Sequence, residues 1–468
     1  MTTAYTGPEQ TEAHRTPTSR GALDDLRRLV AGTLHTPQDP TWDLARTPWA
    51  VNHDQRPMAV LEAHDADDVQ AAVRWAVQHE IQVTAQPTGH GTTGAFEDVL
   101  LLRTKAIDAI EVDVERRTAT LGAGVQAGAL LEALDGTGLT FLAGSNPDPS
   151  VVGMTVQGGI SWFGRAYGIG ADSIVSLEIV DGMGRLRRVD DSDPELFWAL
   201  RGSGGDFGII TRMELRLHPA PAVYGGRLLW PVEQMGEVLR VFRAVTADAP
   251  EELSVWYHTY RFPPFPELPE VIRGKAFASV AIAYLGSESG ADALVAPFRA
   301  IPGVVMDLLG EVPLGALGSI ADEPTDPTPG LEMSRLVTSI DDDLIDRLEE
   351  AVGAGSHSPL AIFQIRHLGG AFRRVVDGQS SFGAVDEEYS MFALVIPGPP
   401  GSDLAAAGIF ARLDGIVSPY SSGRTLLAFL SHESTDRWWT PETRARLEAA
   451  KQVTDPLGVI RSNRPVTR

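Results

Sequence analysis

The first half of the chain carries short apolar runs that alternate with stretches of helical periodicity. Met58–Glu62 is an apolar run typical of a buried strand, and Val69–Gln78 repeats apolar residues at helical spacing behind the acidic cluster Asp65–Asp68. The alternation continues to Pro219 and predicts one α+β unit. The predicted strands are Met58–Glu62, Ile81–Gln86, Val99–Leu102, Ile107–Asp113, Arg116–Leu121 and Ile209–His218, with a strand-rich stretch over Ile174–Val189 and helices over Gly21–Gly32, Val69–Gln78, Ala127–Leu134 and Pro194–Arg201.

Longer runs of alternating apolar residues follow Pro219. This pattern favours an antiparallel sheet backed by helices, and it predicts a separate domain. The Pro-rich segment Phe262–Pro269 and the segment Asp322–Pro329 are predicted loops. The predicted strands are Leu228–Pro231, Ser254–Tyr260, Lys275–Leu285, Leu360–Leu368 and Tyr389–Ile396, with helices near 232–247, 288–299 and 341–352 and a final helix over Pro441–Gln452.

The composition argues against thiol chemistry, nucleic-acid binding and a membrane span. The chain has 468 residues and no cysteine, which excludes disulfides, thiolate metal sites and a thiol nucleophile. Its net charge of −23 argues against nucleic acid or an anionic membrane surface as the main partner. No apolar run approaches the roughly 18 residues of a membrane span, and residues 1–20 lack the apolar core of a signal peptide. We therefore expect a cytoplasmic protein, and the histidine spacing predicts no metal site.

Four glycine-rich segments fall in the first α+β unit. Gly122-x-Gly124-x-x-Ala127 lies between a predicted strand and a predicted helix, as in a dinucleotide fingerprint, but no acidic residue ends the following strand. A nicotinamide site is therefore only a weak hypothesis. The loop Gln86–Gly94 suits a nest of backbone N–H groups for a pyrophosphate, with His90 at its centre, although a turn with an exposed histidine is the alternative. The other two segments are Gly153–Gly170 and Phe197–Gly208.

Taken in order, the segments resemble the flavin-binding domain of the vanillyl-alcohol oxidase/PCMH superfamily, in its berberine-bridge-enzyme-like branch. The motifs that carry the resemblance are TGHGTTG, VVGMTVQGGISWFGRAYGIGADSI and ELFWALRGSGGDFGIIT. The resemblance runs from about Trp42 to His218 and resumes at Arg444–Arg468. The middle domain resembles the family's substrate domain in its strand pattern and in the segment IRHLGGAF.

The resemblance implies an α+β fold with a PCMH-type FAD-binding domain of two α+β subdomains and a substrate domain. We assign 1–38 to an N-terminal tail and short helix, 39–218 to the FAD-binding domain, 219–420 to the substrate domain and 421–468 to a C-terminal return to the first domain. The FAD-binding residues that the resemblance implies are His90, Thr88, Gly89, Gly91, Thr92, Thr93, Gly94, Gly153, Thr155, Gly158, Gly159, Gly208, Ile209 and Asn463.

His90 falls where the family's histidine bonds the flavin 8α-methyl carbon, which implies covalent FAD. The sequence differs from the family in two places. Residues Gln86–Gly89 replace the usual Arg-Ser-Gly-Gly, and Pro149 or a neighbour stands where doubly linked members have a cysteine. The resemblance therefore implies a single histidyl link.

Candidate catalytic residues come from the predicted substrate-domain strands. Strand alternation places Trp256, His258 and Tyr260 on one face of their strand. The same rule places Gln364 and Arg366 together and His367 on the opposite face. The first candidate for the base is Tyr389, where relatives often place an active-site tyrosine, and Tyr260 or His258 follows. Arg366 is the candidate for a positive charge that stabilises reduced flavin or an anionic substrate. The alternative for each is a polar residue that meets solvent or pairs with a carboxylate.

The leading hypothesis is an FAD-dependent oxidase that removes a hydride from a C–H next to O or N of a small metabolite. Molecular oxygen is the expected electron acceptor, and natural-product tailoring is the expected role. Two alternatives stay open, namely a dehydrogenase of the same fold with another acceptor, and a flavin-binding scaffold or cyclase without net redox. The substrate and the oligomeric state are left open.

Overall fold

The computed structural model describes residues 20–94, 96–374, 380–398, 401–431 and 434–467. Strands and helices alternate over the first part of the chain, and a large antiparallel sheet backed by helices follows, which confirms the α+β class. The predicted N-terminal tail falls largely on residues 1–19, outside the described residues.

The first subdomain is a four-stranded sheet in the order β1-β2-β4-β3, with β2, β4 and β3 parallel. The central strand β4 reads VLLLR and is buried along its whole length, as expected for a parallel strand covered on both faces. Asp65 caps α3 by accepting hydrogen bonds from the N–H groups of Asp67 and Asp68. The elements are α1 Arg20–Leu29, β1 Thr33–His35, α2 Trp42–Arg46, β2 Ala59–Glu62, α3 Ala66–Gln78, β3 Gln82–Ala85 and β4 Val99–Arg103.

The second subdomain is a five-stranded antiparallel sheet in the order β5-β6-β10-β8-β9, with a small β11-β7 pair beside it. Glycine-rich loops connect its strands and helices and face the rest of the molecule. The elements are β5 Ile110–Asp113, β6 Thr118–Gly122, α4 Ala127–Leu134, β7 Leu139–Thr140, α5 Val151–Thr155, α6 Gly164–Tyr167, β8 Ile174–Val180, β9 Leu186–Val189, α7 Pro194–Leu200, β10 Ile209–Arg216 and β11 His218–Pro219.

The third part is an eight-stranded sheet in the order β15-β12-β14-β13-β18-β19-β17, with β16 also paired to β12. Helices α8 to α11 pack on one face of this sheet and bury its apolar residues. The other face meets the second subdomain, where Trp256 stacks on Trp162 with ring centroids 3.5 Å apart. The elements are β12 Tyr224–Pro231, α8 Met235–Ala247, β13 Leu253–Arg261, β14 Ala276–Tyr284, α9 Glu288–Arg299, β15 Met306–Asp307, β16 Gly310–Glu311, β17 Leu331–Val337, α10 Asp342–Val352, β18 Ile362–His367, β19 Tyr389–Val395 and α11 Ser402–Val417.

The chain then returns to the first two subdomains through α12, Pro441–Thr454. The buried ammonium of Lys451 lies 2.8 Å from the Asp455 carboxylate and 3.6 Å from that of Asp206. The Asp206 carboxylate accepts hydrogen bonds from the N–H groups of Ser462 and Val466, so the returning segment is bound to the loop before β10. We call these three ionic side chains, Asp206, Lys451 and Asp455, the Lys451 cluster.

Candidate functional site

A cavity of about 1010 Å³ lies between the glycine-rich loops and the open face of the eight-stranded sheet. The loops supply one wall, which includes His90 and Gln157, and the sheet supplies the other, which includes Tyr260 and Arg366. The returning C-terminal segment contributes Arg464. Three segments distant in sequence therefore build one site.

The His90 ring is fixed within the Gln86–Gly94 loop. It stacks on Trp49 with centroids 3.9 Å apart and an angle of 18° between the rings. Its Nε2 atom is buried and has no hydrogen-bond partner among the described residues. Burial lowers the pKa of His90 to about 4, so the imidazole is neutral at pH 7. The loop thus presents an uncharged nitrogen base at the cavity wall.

Hydrogen bonds hold the rest of this loop. Thr92 Oγ1 lies 2.8 Å from Gln55 Nε2 and 3.1 Å from Gln86 Nε2, and both amides donate to it. Gln86 Oε1 in turn accepts from the buried guanidinium of Arg103, at 2.9 Å. Gln86, which differs from the family's arginine, therefore links Thr92 to a neighbouring arginine. Thr88, Gly89, His90, Gly91, Thr92 and Thr93 line the cavity, whereas Gly94 lies outside its lining.

Two of the four residues predicted in the segment 153–159 line the cavity. Gly153 and Gly159 line the cavity, but Thr155 and Gly158 do not. A Cβ on Gly158 would come within 2.2 Å of the Phe382 ring, and its φ of +112° also favours glycine, so packing accounts for this residue. Gly208 and Ile209 line the cavity as expected.

The loop before β10 and the C-terminal segment add residues outside the predicted set. Ser203, Gly204 and Gly205 line the cavity, and a Cβ on Gly205 would meet no atom within 4 Å. Asn463 lines the cavity as expected, with its buried Oδ1 unpartnered among the described residues. Beside it, Arg464 is a site residue that no local sequence signal marks.

The buried guanidinium of Arg464 joins three segments. Its Nη1 donates to Gln157 Oε1 at 2.7 Å and to the Gly91 carbonyl at 3.3 Å. Its Nε and Nη2 donate to the carbonyls of Leu430 and Ala428. These five hydrogen bonds use the donor capacity of the guanidinium. We call this arrangement the Arg464 clamp.

Three of the four predicted catalytic residues face the cavity. Tyr260, His258 and Arg366 line it, as their strand alternation predicts. Tyr389 lies on the helix side of the sheet, where its hydroxyl is 3.0 Å from Thr246 Oγ1. The register explains this placement, because Tyr389 pairs with His367, while Ser390 pairs with Arg366 and shares its face.

The electrostatics of the sheet wall are governed by burial. Burial lowers the pKa of His258 to about 3, with Arg366 nearby adding to the shift, so His258 is neutral at pH 7. Burial also raises the pKa of Tyr260, which stays protonated. The Arg366 guanidinium lies 4.1 Å from the centre of the Trp256 ring and 5.0 Å from that of Phe429, and its Nε donates to Gln364.

Glu332, on a strand that the sequence pattern did not predict, also lines the cavity. Burial raises the pKa of its carboxyl, against the opposing effect of Arg464 and Arg366. No other carboxylate among those that line the described cavity lies on the open face of strands β13, β18, β19 and β17.

Comparison with known proteins identifies the first domain. A family profile described as an FAD binding domain matches residues 57–190. The (R)-6-hydroxynicotine oxidase of Paenarthrobacter nicotinovorans is 29% identical over 205 residues, which are 43% of this chain and 45% of that protein. An FAD-linked oxidoreductase of Dictyostelium discoideum is 26% identical over 358 residues, 75% of each chain. The chain thus spans less than half the length of the first relative.

Residues 57–190 thus form an FAD-binding domain, and the chain is similar in sequence to FAD-linked oxidoreductases. Solved structures share the fold over nearly the whole chain. BBE-like 1 from Physcomitrella patens gives a TM-score of 0.83 at 19% identity, covering 95% of this chain and 98% of that one. The 6-hydroxy-D-nicotine oxidase from Arthrobacter nicotinovorans gives 0.80 at 21% identity, covering 92% and 97%.

The residues present fit FAD. The cavity is lined by close-set glycines, and Gly205 leaves open space where a side chain would stand. Two buried polar atoms, His90 Nε2 and Asn463 Oδ1, lack partners that a bound cofactor could supply. The loops around Gly91, Gly153 and Gly205 would hold the cofactor beneath the sheet wall.

The described residues contain no helix long and apolar enough to cross a membrane. In the same part of the chain, no group of three or more histidine or acidic side chains is arranged to hold a metal ion.

Proposed function

We propose that this protein is an oxidase with FAD covalently joined to His90, and that it removes a hydride from a C–H next to O or N of a small metabolite. The observation that carries the proposal is the His90 imidazole, which is neutral, oriented by Trp49 and unpartnered at Nε2 beside a cavity of a size suited to a dinucleotide. A link to the flavin needs an unprotonated imidazole. The relatives' names support the oxidase activity.

Bound FAD would supply the two-electron chemistry: a hydride from the substrate C–H and a proton from its O–H or N–H would together reduce O2 to hydrogen peroxide. The residues proposed to hold it are His90 with its loop, Gly153, Gly159, Gly208 and Asn463. The clamp residue Arg464 would fix the Gly91 carbonyl and Gln157 at that wall.

The sheet wall would bind and orient the substrate. Because its pKa is raised, the Tyr260 hydroxyl keeps its proton and would donate a hydrogen bond to a substrate oxygen or nitrogen. His258 stays neutral and pairs with Gln364 through Nε2. Arg366 would place a buried positive charge where negative charge develops on reduction.

Covalent attachment is tested by acid precipitation of the purified protein. We expect a yellow pellet from the wild type and a colourless pellet from His90→Ala. His64→Ala, a change at an exposed histidine, is the control and should keep a yellow pellet. A yellow supernatant from the wild type would contradict the histidyl link and leave the flavoprotein intact.

The acceptor is tested by mixing holoenzyme and substrate without oxygen and then admitting air. Bleaching of the flavin followed by stoichiometric peroxide supports the oxidase. Bleaching without peroxide would favour a dehydrogenase, and absence of bleaching with every substrate tried would favour a flavin-binding scaffold. Protein that stays colourless with added FAD would overturn the proposal. Natural-product tailoring as the metabolic role rests on the resemblance alone.

A further inference from the structure

The open face of the eight-stranded sheet carries a short polar row among apolar side chains. His258 on β13 pairs with Gln364 on β18, and on its other side it pairs with Ser279 on β14. Arg366 lies two residues beyond Gln364 on the same strand and therefore on the same face. All four side chains are buried. Since buried polar groups need partners, the partners present determine how these side chains are oriented.

Hydrogen bonds join three of these side chains in a defined direction. Arg366 Nε donates to Gln364 Oε1, because a guanidinium has donors and no acceptor. The amide nitrogen of Gln364 therefore faces His258 Nε2, and that ring nitrogen must accept. The lone pair that His258 would need as a base is thus already engaged, and its proton lies on Nδ1. We call Arg366, Gln364 and His258 the Arg366 network.

The terminal nitrogens of Arg366 remain available at the cavity, which this residue lines. Its guanidinium is restricted by two aromatic rings, with the centre of Trp256 at 4.1 Å and that of Phe429 at 5.0 Å. Within the part of the chain that the structure describes, Nη1 and Nη2 make no hydrogen bond, and no carboxylate forms an ion pair with them. Four N–H donors and the positive charge are therefore free to act on a ligand in the cavity.

The aromatic partner Phe429 connects this guanidinium to the proposed attachment loop. Phe429 belongs to the segment 428–430, in which the carbonyls on either side of it accept hydrogen bonds from Arg464. Arg464 also donates to the carbonyl of Gly91 in the attachment loop. Arg366 and the attachment loop thus contact the same short segment through one side chain each. A flavin joined to that loop would occupy the part of the cavity that Arg366 lines.

We propose that His258 is a positioning residue, which acts through Gln364 to hold the Arg366 guanidinium toward the flavin ring. The inference rests on the proposed function, since it requires flavin in this cavity. Without an acceptor at His258 the Gln364 amide would be free to rotate, and Arg366 would lose the bond that holds Nε. The long side chain would then occupy several conformations, and its charge would act on the flavin less strongly. His258 has no part in taking a proton from the substrate.

The test measures how tightly sodium sulfite binds to the flavin-loaded protein, with no substrate present. Sulfite adds its sulfur lone pair to N5 of the oxidised flavin, an N–S bond forms, and the electron pair leaves negative charge on the flavin ring. A positive charge held beside the ring strengthens this binding, which is followed by the loss of yellow absorbance. We expect Arg366→Met to raise the sulfite dissociation constant about a hundredfold, and His258→Leu about tenfold.

Two further variants separate hydrogen bonding from packing. His258→Gln offers an amide oxygen to the Gln364 N–H and should stay within about threefold of the wild type. Ser279→Ala is the matched control, because Ser279 pairs with His258, is equally buried and has an Oγ without a partner among the described residues. It should stay within about twofold of the wild type, since no hydrogen bond is lost.

A double variant tests the connection itself. Gln364→Met should weaken sulfite binding about as much as His258→Leu does. Adding His258→Leu to Gln364→Met should cause no further loss, because both residues act through the same contact to Arg366. Fully additive losses would overturn the assignment. Wild-type affinity in Gln364→Met would overturn it alone, so the test stays decisive even where His258→Leu does not fold.

The remaining outcomes of the sulfite titration also decide the matter. Wild-type affinity in His258→Leu would overturn the inference, and so would a loss in Ser279→Ala equal to that in His258→Leu. A wild type that holds flavin but binds no sulfite would show that Arg366 does not act on the flavin, which overturns the inference too. A protein that holds no flavin would instead contradict the proposed function.

Discussion

The orientation of the His90 imidazole depends on the indole ring of Trp49. Trp49 stacks on His90 and also donates from Nε1 to the Thr325 carbonyl at 3.1 Å, so the ring is held between the His90 loop and the predicted loop 322–329. An aromatic stack of this kind contributes about 0.5–1.5 kcal/mol beyond the area it buries. We interpret Trp49 as a positioning residue for the proposed attachment.

Trp49→Ala should lower the fraction of protein with covalent flavin about three- to tenfold, because the imidazole would no longer be held in one orientation. Flavin fluorescence of the denatured protein in a gel measures that fraction. Trp49→Phe keeps an aromatic face without the Nε1 donor and should retain most of the attachment. Full attachment in Trp49→Ala would show that the stack is not needed.

At the scale of elements, the Lys451 cluster ties helix α12 to the loop before β10. Lys451→Met would leave two buried carboxylates with only their N–H donors, and we expect a loss of about 3–5 kcal/mol in the free energy of unfolding. Urea denaturation of the flavin-bound protein measures the loss. Lys105→Met, at an exposed loop position, should change stability by no more than about 0.5 kcal/mol. Equal stability of both variants would contradict a structural role for the cluster.

Strand alternation accounts for much of the sheet wall. Alternation places Tyr260 on the same face as His258, and Arg366 on the same face as Gln364, as in the structure. It does not say which face of a strand meets the cavity, and for this reason the placement of Tyr389 could not be predicted. That choice depends on the pairing of Tyr389 with His367, a contact between strands.

The sequence prediction lacks several short elements and two longer ones, β17 and α11, and a physical reason accounts for each of the longer two. In β17 the alternation is broken by Arg335, whose Nε bonds Asp414 on α11 at 2.7 Å. Helix α11 carries two interior glycines and four alanines, which weaken its amphipathic pattern. The sequence analysis did not identify Glu332 because it did not predict strand β17. Arg464 was missed because its partners lie up to 373 residues away in the chain.

At the scale of the whole molecule, four buried histidines govern the response to acid. Burial lowers the pKa values of His90 and His218 to about 4, that of His258 to about 3 and that of His367 to about 2. Below the unfolded value of about 6.5 the unfolded chain binds protons that the folded chain does not, so stability falls as the pH falls.

The expected loss between pH 7 and pH 5 is about 2 kcal/mol for each of His218, His258 and His367, and for His90 in protein that lacks the covalent flavin. Unfolding free energies measured across that range should show the decline, and His218→Gln should make it smaller by one histidine's share. His64→Gln, at an exposed site, should leave the decline unchanged. Stability that is flat from pH 7 to pH 5 would contradict the neutral state of the buried rings.

The Arg464 clamp shows that the FAD-binding site extends beyond the region that the family profile matches. The family profile ends at residue 190, yet the clamp connects the Gly91 carbonyl to a guanidinium 373 residues later, with the whole eight-stranded sheet in between. Closing so long a loop is an entropic cost that must be met before the contact forms. The region that the family profile matches, residues 57–190, therefore does not contain the whole binding site. A fragment cut at its borders would lose β1, the strand β10 that lies between β6 and β8, and the far side of its own binding wall, so we expect it not to retain FAD.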